Sequence, residues 1–152
     1  MDAVEASKTL TGLGVPHALI GGLAVGMHGH PRATKDADYL VGPEAFLRMT
    51  PVIQFREEIG AMAKMGVMDF MPVPQRFEAL VELLRVPAGG EIPVIAVEGL
   101  ILLKLDANRH QDRADIVALL RIGIDASSVT EYLRQNAPEL VDRFARLMAE
   151  IG

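Results

Sequence analysis

The stretch Ile20-Gly21-Gly22-Leu23-Ala24-Val25-Gly26-Met27-His28-Gly29-His30-Pro31-Arg32-Ala33-Thr34-Lys35-Asp36-Ala37-Asp38-Tyr39-Leu40-Val41 decides how this chain is read. It opens on an apolar run that ends in two glycines, passes through small residues to a Pro31-Arg32 turn, and closes on two carboxylates followed by apolar residues. Short apolar runs bounded by glycine and proline suit buried strands, so the pattern predicts strand, helix, turn and strand. Residues two apart on a strand share a face, which makes Asp36 and Asp38 project together.

Neighbouring carboxylates raise one another's pKa, and a site that keeps both ionised needs a cation between them. With hard oxygen ligands from one or two carboxylates and the remaining positions left to water and phosphate, the expected ion is Mg²⁺ or, with similar preferences, Mn²⁺. Gly21 and Gly22 then acquire a purpose. Without side chains their amides can approach a ligand, and a helix N-terminus following them favours phosphate.

Gly21-Gly22, Arg32-x-Thr34-x-Asp36-x-Asp38 and the apolar tail resemble the signature of the nucleotidyltransferase superfamily related to DNA polymerase beta. Within it, the chain is similar to small bacterial nucleotidyltransferases of the AbiEii toxin and minimal-nucleotidyltransferase groups. The resemblance spans about residues 17 to 120 and includes Leu103-Lys104-Leu105 and Asp112-x-x-Asp115-Ile116. It implies a third carboxylate from a later strand, for which Asp69 in Val67-Met68-Asp69-Phe70-Met71 is the candidate. One departure is Ala24, where many members carry a serine or another small polar residue, so a hydroxyl contact to phosphate is missing.

The chain has 152 residues, half of them apolar, which suffices for one domain with a proper core. We expect a single nucleotidyltransferase-like α/β (α+β) domain over residues 1–152, with a mixed sheet of about four strands, flanking helices and a C-terminal helical part over 98–152. Cysteine is absent, which excludes a disulfide scaffold, a cysteine-ligated zinc site and a thiol nucleophile. The start Met1-Asp2-Ala3-Val4-Glu5 lacks the basic and apolar regions of a signal peptide, and the longest apolar run is interrupted by Glu98 and Lys104, so a cytoplasmic protein without a membrane span is expected. A net charge of −5 argues against a broadly basic nucleic-acid surface, though not against a local patch.

Along the chain, Asp2 and Glu5 stand at capping-box spacing before a helix to about residue 12, and residues 16–20 form a strand. Leu23 to His30 reads as a short helix, residues 44–59 as two helical pieces separated at Pro51, and Gly60 to Gly66 as a connector. Strands are expected over 67–71 and 92–97, while 75–85 is either helical or extended. Glu98 to Asn108 is an apolar helix, with Asp112 to Leu120 continuing it. Ser128 to Glu131 forms a capping box for another helix, and Leu140, Phe144, Leu147, Met148 and Ile151 recur at helical spacing. These last helices pack on the sheet or supply a homodimer or partner surface.

Among the remaining polar residues, Arg32 either contacts a triphosphate, holds an aspartate, or is a surface residue after the proline turn. Thr34 is a strand-entry residue with its hydroxyl near the site. Lys104, among leucines, needs an anion or water for its ammonium: nucleotide phosphate, Glu98 or an active-site aspartate, or solvent reached by snorkelling. In one continuous helix it would share a face with Asn108, Gln111 and Asp115. His28 and His30 are read as capping or hydrogen-bonding residues at the end of the short helix rather than as ligands.

The resemblance implies transfer of a nucleoside monophosphate from a nucleoside triphosphate (NTP) to an acceptor hydroxyl on RNA, protein or a small molecule. Asp36, Asp38 and Asp69 would hold Mg²⁺ or Mn²⁺ and act as the catalytic acids, while Gly21, Gly22, Arg32, Thr34 and Lys104 would position the phosphates. A role in a toxin–antitoxin pair with an antitoxin partner follows from the same resemblance. Two other readings stand beside it: a nucleotide- or partner-binding module that kept the fold without turnover, and a structural α/β domain whose acids are merely on the surface.

Overall fold

The computed structural model describes residues 2–34, 36–47, 54–66 and 68–151. Helix α1 (Ala3–Gly12) begins where the capping box was expected: the Asp2 carboxylate accepts from the Glu5 amide at 2.9 Å, and Glu5 accepts from the Asp2 amide at 3.1 Å. The fully buried strand β1 (His17–Ile20) runs directly into α2 (Gly21–Met27), so the glycine pair lies inside the helix's first turn rather than ahead of it. Strand β2 (Ala37–Val41) follows, with Tyr39, Leu40 and Val41 fully buried.

The segment after β2 departs from expectation. Instead of a helix from residue 44, a 3-10 turn at Pro43–Ala45 leads into a two-stranded hairpin of β3 (Phe46–Leu47) and β4 (Gln54–Phe55). Pro51, expected to divide two helices, lies outside the described residues. The Phe46 and Phe55 rings stack with centroids 4.9 Å apart, an aromatic cross-strand pair that favours extended backbone over helix. The expected connector is helical instead, as α3 (Glu57–Lys64). Ile59 and Met62, three residues apart, are buried together, and each contributes roughly 1.5–3 kcal/mol, which outweighs the ~1 kcal/mol that Gly60 costs a helix.

Strand β5 (Met68–Pro72) completes the main sheet; Val67, expected to begin it, lies outside the described residues. The order is β1-β2-β5, with β1 antiparallel and β5 parallel to β2. Among the described residues this mixed α/β arrangement is a three-stranded sheet plus the separate two-stranded β3–β4 pair, not the sheet of about four strands anticipated. Where a strand over 92–97 was expected, only Val94 bridges Leu19, and Arg85 bridges His17 with the opposite polarity. Proline explains the shortfall: Pro87 and Pro93 offer no backbone donor, so the segment touches the sheet edge without continuing along it. Residues 75–83 form 3-10 turns kinked at Phe77, resolving the helix-or-strand ambiguity there.

The C-terminal part is helical. Helix α4 (Val97–Ala107) buries Leu100, Ile101, Leu102 and Leu105, and packs against α5 (His110–Arg121) and α6 (Ala126–Asn136). Asn108 adopts a left-handed conformation (φ 52°) that ends α4 and turns the chain into α5. Helix α6 is capped by Asp125, whose carboxylate accepts from the Ser127 and Ser128 amides, not by the expected Ser128 box; the Ser128 hydroxyl donates to Glu98 at 2.8 Å. In α7 (Val141–Ile151), Phe144 and Leu147 face inward as their spacing required. Among the described residues no helix is long and apolar enough to cross a membrane.

One buried polar group sits in the sheet itself. The Nδ1 of His17 is 2.8 Å from the Val15 carbonyl, which can only accept, so Nδ1 carries a proton, and Nε2 shares a 2.7 Å hydrogen bond with the Ser7 hydroxyl. Burial favours the neutral imidazole. Burial is the main cause that lowers its pKa below the ordinary 6.5, and the Arg85 charge adds to it. Because the unfolded chain takes up that proton more readily, stability is full above pH ~6.5 and falls as the pH drops from there towards the folded-state value. Thermal unfolding between pH ~7 and ~5 should show the wild-type melting temperature falling, and His17→Asn should flatten that slope.

Candidate functional site

The parallel pairing of β2 with β5 sets Asp38 opposite Asp69. Neighbouring strands lie ~4.8 Å apart, and register partners point to the same side, so the two carboxylates face one another. Asp38 is half-buried and Asp69 exposed. The Asp38 carboxyl is pushed above the usual carboxylate range, first by burial, then by the charge and close contact of Asp69, and then by the charge of Asp36. Asp36 itself lies just ahead of β2 and is exposed, so it contributes field from the side rather than standing in the strand pair.

Gly21 packs against this pair. Its φ is +72°, and a Cβ there would come within 2.3 Å of the Asp38 carboxylate. Gly22 is constrained by a different neighbour: its Cβ would lie 2.9 Å from the Arg32 guanidinium. Each glycine thus makes room for a charged side chain of the same motif. Whatever phosphate affinity the glycines provide does not come from a long helix dipole, since α2 spans seven residues.

A cleft of about 410 Å³ opens beside the acids, lined by Gly21, Asp38 and Asp69 from the sheet side and by Lys104, Arg109 and Asp112 from the helical side, with Arg76 at its edge. Of the residues singled out in the sequence, Gly21, Asp38, Asp69 and Lys104 line it, whereas Gly22, Arg32, Thr34 and Asp36 do not. The Thr34 hydroxyl stands 3.5 Å from the Asp36 carbonyl and is thus a local turn contact. His28 donates to the Ile95 carbonyl at 2.7 Å, the hydrogen-bonding role foreseen for it.

Arg32 and Lys104 meet at an aspartate. Arg32 grips Asp115 with both ends of its fork, at 2.9 and 3.0 Å, and the Lys104 ammonium lies 2.8 Å from Asp115 and 3.3 Å from Asp112. Gln111 donates a further bond to Asp115 at 2.9 Å, and Arg109 contacts Asp112 through its backbone amide and its Nε. Lys104, Asp112 and Asp115 are all buried. Burial alone would raise both aspartates, but the bonds from Arg109 to Asp112 and from Arg32 to Asp115, with those of Lys104, more than offset it and hold both below the ordinary range. Among the described residues, neither Glu98 nor one of the acids Asp36, Asp38 and Asp69, the protein anions expected for Lys104, forms its ion pair; Asp112 and Asp115 hold it instead. The single polar face of Lys104, Asn108, Gln111 and Asp115 does not form, because Asn108 breaks the helix; the turn brings Asp112 and Asp115 back over Lys104 instead.

The acids suit a small hard cation held by one or two carboxylates, with water and phosphate oxygens completing its shell: two facing carboxylates, one with a raised pKa, present such a donor set. Among the described residues no group of three or more His, Asp or Glu side chains is arranged around a single metal position, so Asp38 and Asp69 are the pair that would hold it. Arg76 and Arg109, which line the cleft, were not singled out in the sequence and carry no motif of their own; the Arg109 backbone amide donates to Asp112 at the start of α5.

The fold and cleft define an α/β protein with a carboxylate pair in a cleft lined by both acidic and ion-paired basic side chains. No family model matches the chain, and no curated protein matches it. Gly21→Ala should lower the melting temperature by an amount corresponding to ~1–3 kcal/mol, because it combines a strained backbone with a carboxylate clash, whereas Gly12→Ala, with open space around it, should be near neutral.

Proposed function

We propose that the chain is a metal-dependent nucleotidyltransferase that moves a nucleoside monophosphate from an NTP to an acceptor hydroxyl. The observation that carries this reading is the register of Asp38 opposite Asp69 against a glycine whose missing side chain leaves room for the acid. Asp38 and Asp69 would hold a divalent cation, which would neutralise the triphosphate and the charge developing on the leaving pyrophosphate. The chain's residues do the rest. The acceptor oxygen bonds to the α-phosphorus as the bond to pyrophosphate breaks, and Asp69, whose carboxylate is exposed, takes the acceptor's proton. Lys104, Arg109 and Arg76 line the cleft, each paired with a neighbouring aspartate, and no covalent nucleophile is required. Asp36 contributes negative charge beside the pair rather than a ligand in line with it.

A second reading has one specific observation in its favour. Arg32 and Lys104, the cations first read as phosphate contacts, are already neutralised by Asp112 and Asp115, as a binding module without turnover would tolerate. Calorimetry with nucleotide and Mg²⁺ separates the two, since binding without product favours the module.

The transferase reading is tested by incubating the protein with labelled NTPs, Mn²⁺ or Mg²⁺ and candidate RNA or protein acceptors. Label transfer should require metal and disappear in Asp38→Asn and in Asp69→Asn; transfer that survives both substitutions would refute the assignment. Stability offers an independent check. The raised Asp38 pKa means the folded state loses stability as pH rises through the ordinary carboxylate value towards the folded one, so Asp38→Asn should melt higher than wild type at neutral pH without metal. Mg²⁺ should raise the wild-type melting temperature, by about 2.7 kcal/mol equivalent at a hundredfold excess over Kd, and leave Asp38→Asn nearly unmoved.

A further inference from the structure

The most economical internal counter-ion for two facing carboxylates is an ammonium in the same cleft, and Lys104 lines that cleft with Asp38 and Asp69. Its head is nevertheless held elsewhere, 2.8 Å from Asp115 and 3.3 Å from Asp112. Among the described residues neither Asp38 nor Asp69 forms an ion pair with a basic side chain. Both anions that hold Lys104 are themselves fixed by other donors. Asp115, fully buried, is gripped by the Arg32 fork and by Gln111, and Asp112 by the Arg109 backbone and side chain. A flexible lysine stem can reach several anions, so the rigid pair decides which it takes.

Resting on the acid-pair reading above, we propose that Asp112 and Asp115 are positioning residues that withhold the Lys104 ammonium from Asp38 and Asp69, leaving that pair open to a divalent cation. A released ammonium would occupy the space between the carboxylates or oppose the cation from beside it. Arg32 joins the same device: its grip on Asp115 ties the loop that leads into Asp36 and Asp38 to the helical half of the protein. Asp115, fully buried and outside the cleft lining, acts on the cleft through Lys104, while Asp112 holds the same ammonium from the cleft wall.

The experiment is a Mn²⁺ titration of the full chain, followed by calorimetry and by electron paramagnetic resonance of free Mn²⁺, with circular dichroism as the check on folding. Asp115→Asn should bind Mn²⁺ about tenfold more weakly, the effect of roughly one unit charge acting across a partly hydrated cleft. Adding Lys104→Met to Asp115→Asn should restore affinity towards wild type, a rescue that a merely structural role for Asp115 does not produce. Lys104→Met alone should bind at least as tightly as wild type. Unchanged affinity in Asp115→Asn, no rescue in the double variant, or weaker binding in Lys104→Met would each overturn the proposal. Should Asp115→Asn fail to fold, Asp112→Asn carries the same expectation and Lys104→Met decides. Absence of Mn²⁺ uptake by wild type would remove the acid-pair reading and this proposal with it, whereas uptake indifferent to the Asp115 charge removes the proposal alone.

Discussion

Parallel pairing of β2 with β5 places two like charges side by side, and much of the surrounding structure accommodates that fact. Two carboxylates ~5 Å apart repel by roughly 1–3 kcal/mol at effective dielectric constants between those of water and a protein surface. The sheet sustains this because Tyr39, Leu40 and Val41 on the same strand are fully buried, and their burial exceeds the electrostatic cost. Gly21 yields its side-chain volume to Asp38, and Asp69 keeps its carboxylate in solvent. A ligand of opposite charge would relieve a site strained in this way, which is the ground for proposing a cation there.

The second organising feature is the buried ion network on the helical side. Four donor contacts converge on Asp115: two from Arg32, one from Lys104 and one from Gln111. Removing one partner from such a buried pair leaves an uncompensated charge and costs about 3–5 kcal/mol, while the complete network is closer to neutral in stability. Its value is therefore geometric. It joins the loop that follows α2 to the α4–α5 corner, so the two walls of the cleft keep their spacing.

Local patterns were legible where a short-range rule acted alone. The Asp2–Glu5 box, the apolar runs of β1 and β2, the flanking of Asp69 by Met68 and Phe70, and the inward stripe of α7 needed only spacing and hydropathy. The reading failed where a distant partner outweighed local preference. Phe46 finds Phe55 on the paired strand, α3 finds β5, and the Pro93 segment finds only the edge of β1. Each of these contacts is made between separate elements, which a single-element periodicity does not weigh.

The sequence by itself determined that the chain has one apolar core, no thiol chemistry, and two aspartates spaced for a strand beside a glycine pair. Spacing carries that information because strand and helix periods are properties of the backbone. Only the tertiary structure decided that Asp69 rather than Asp36 stands opposite Asp38, and that Lys104 pairs with Asp112 and Asp115. The first depends on strand register and the second on a left-handed turn at Asn108, and both bring together side chains whose separation along the chain says nothing of their distance in space.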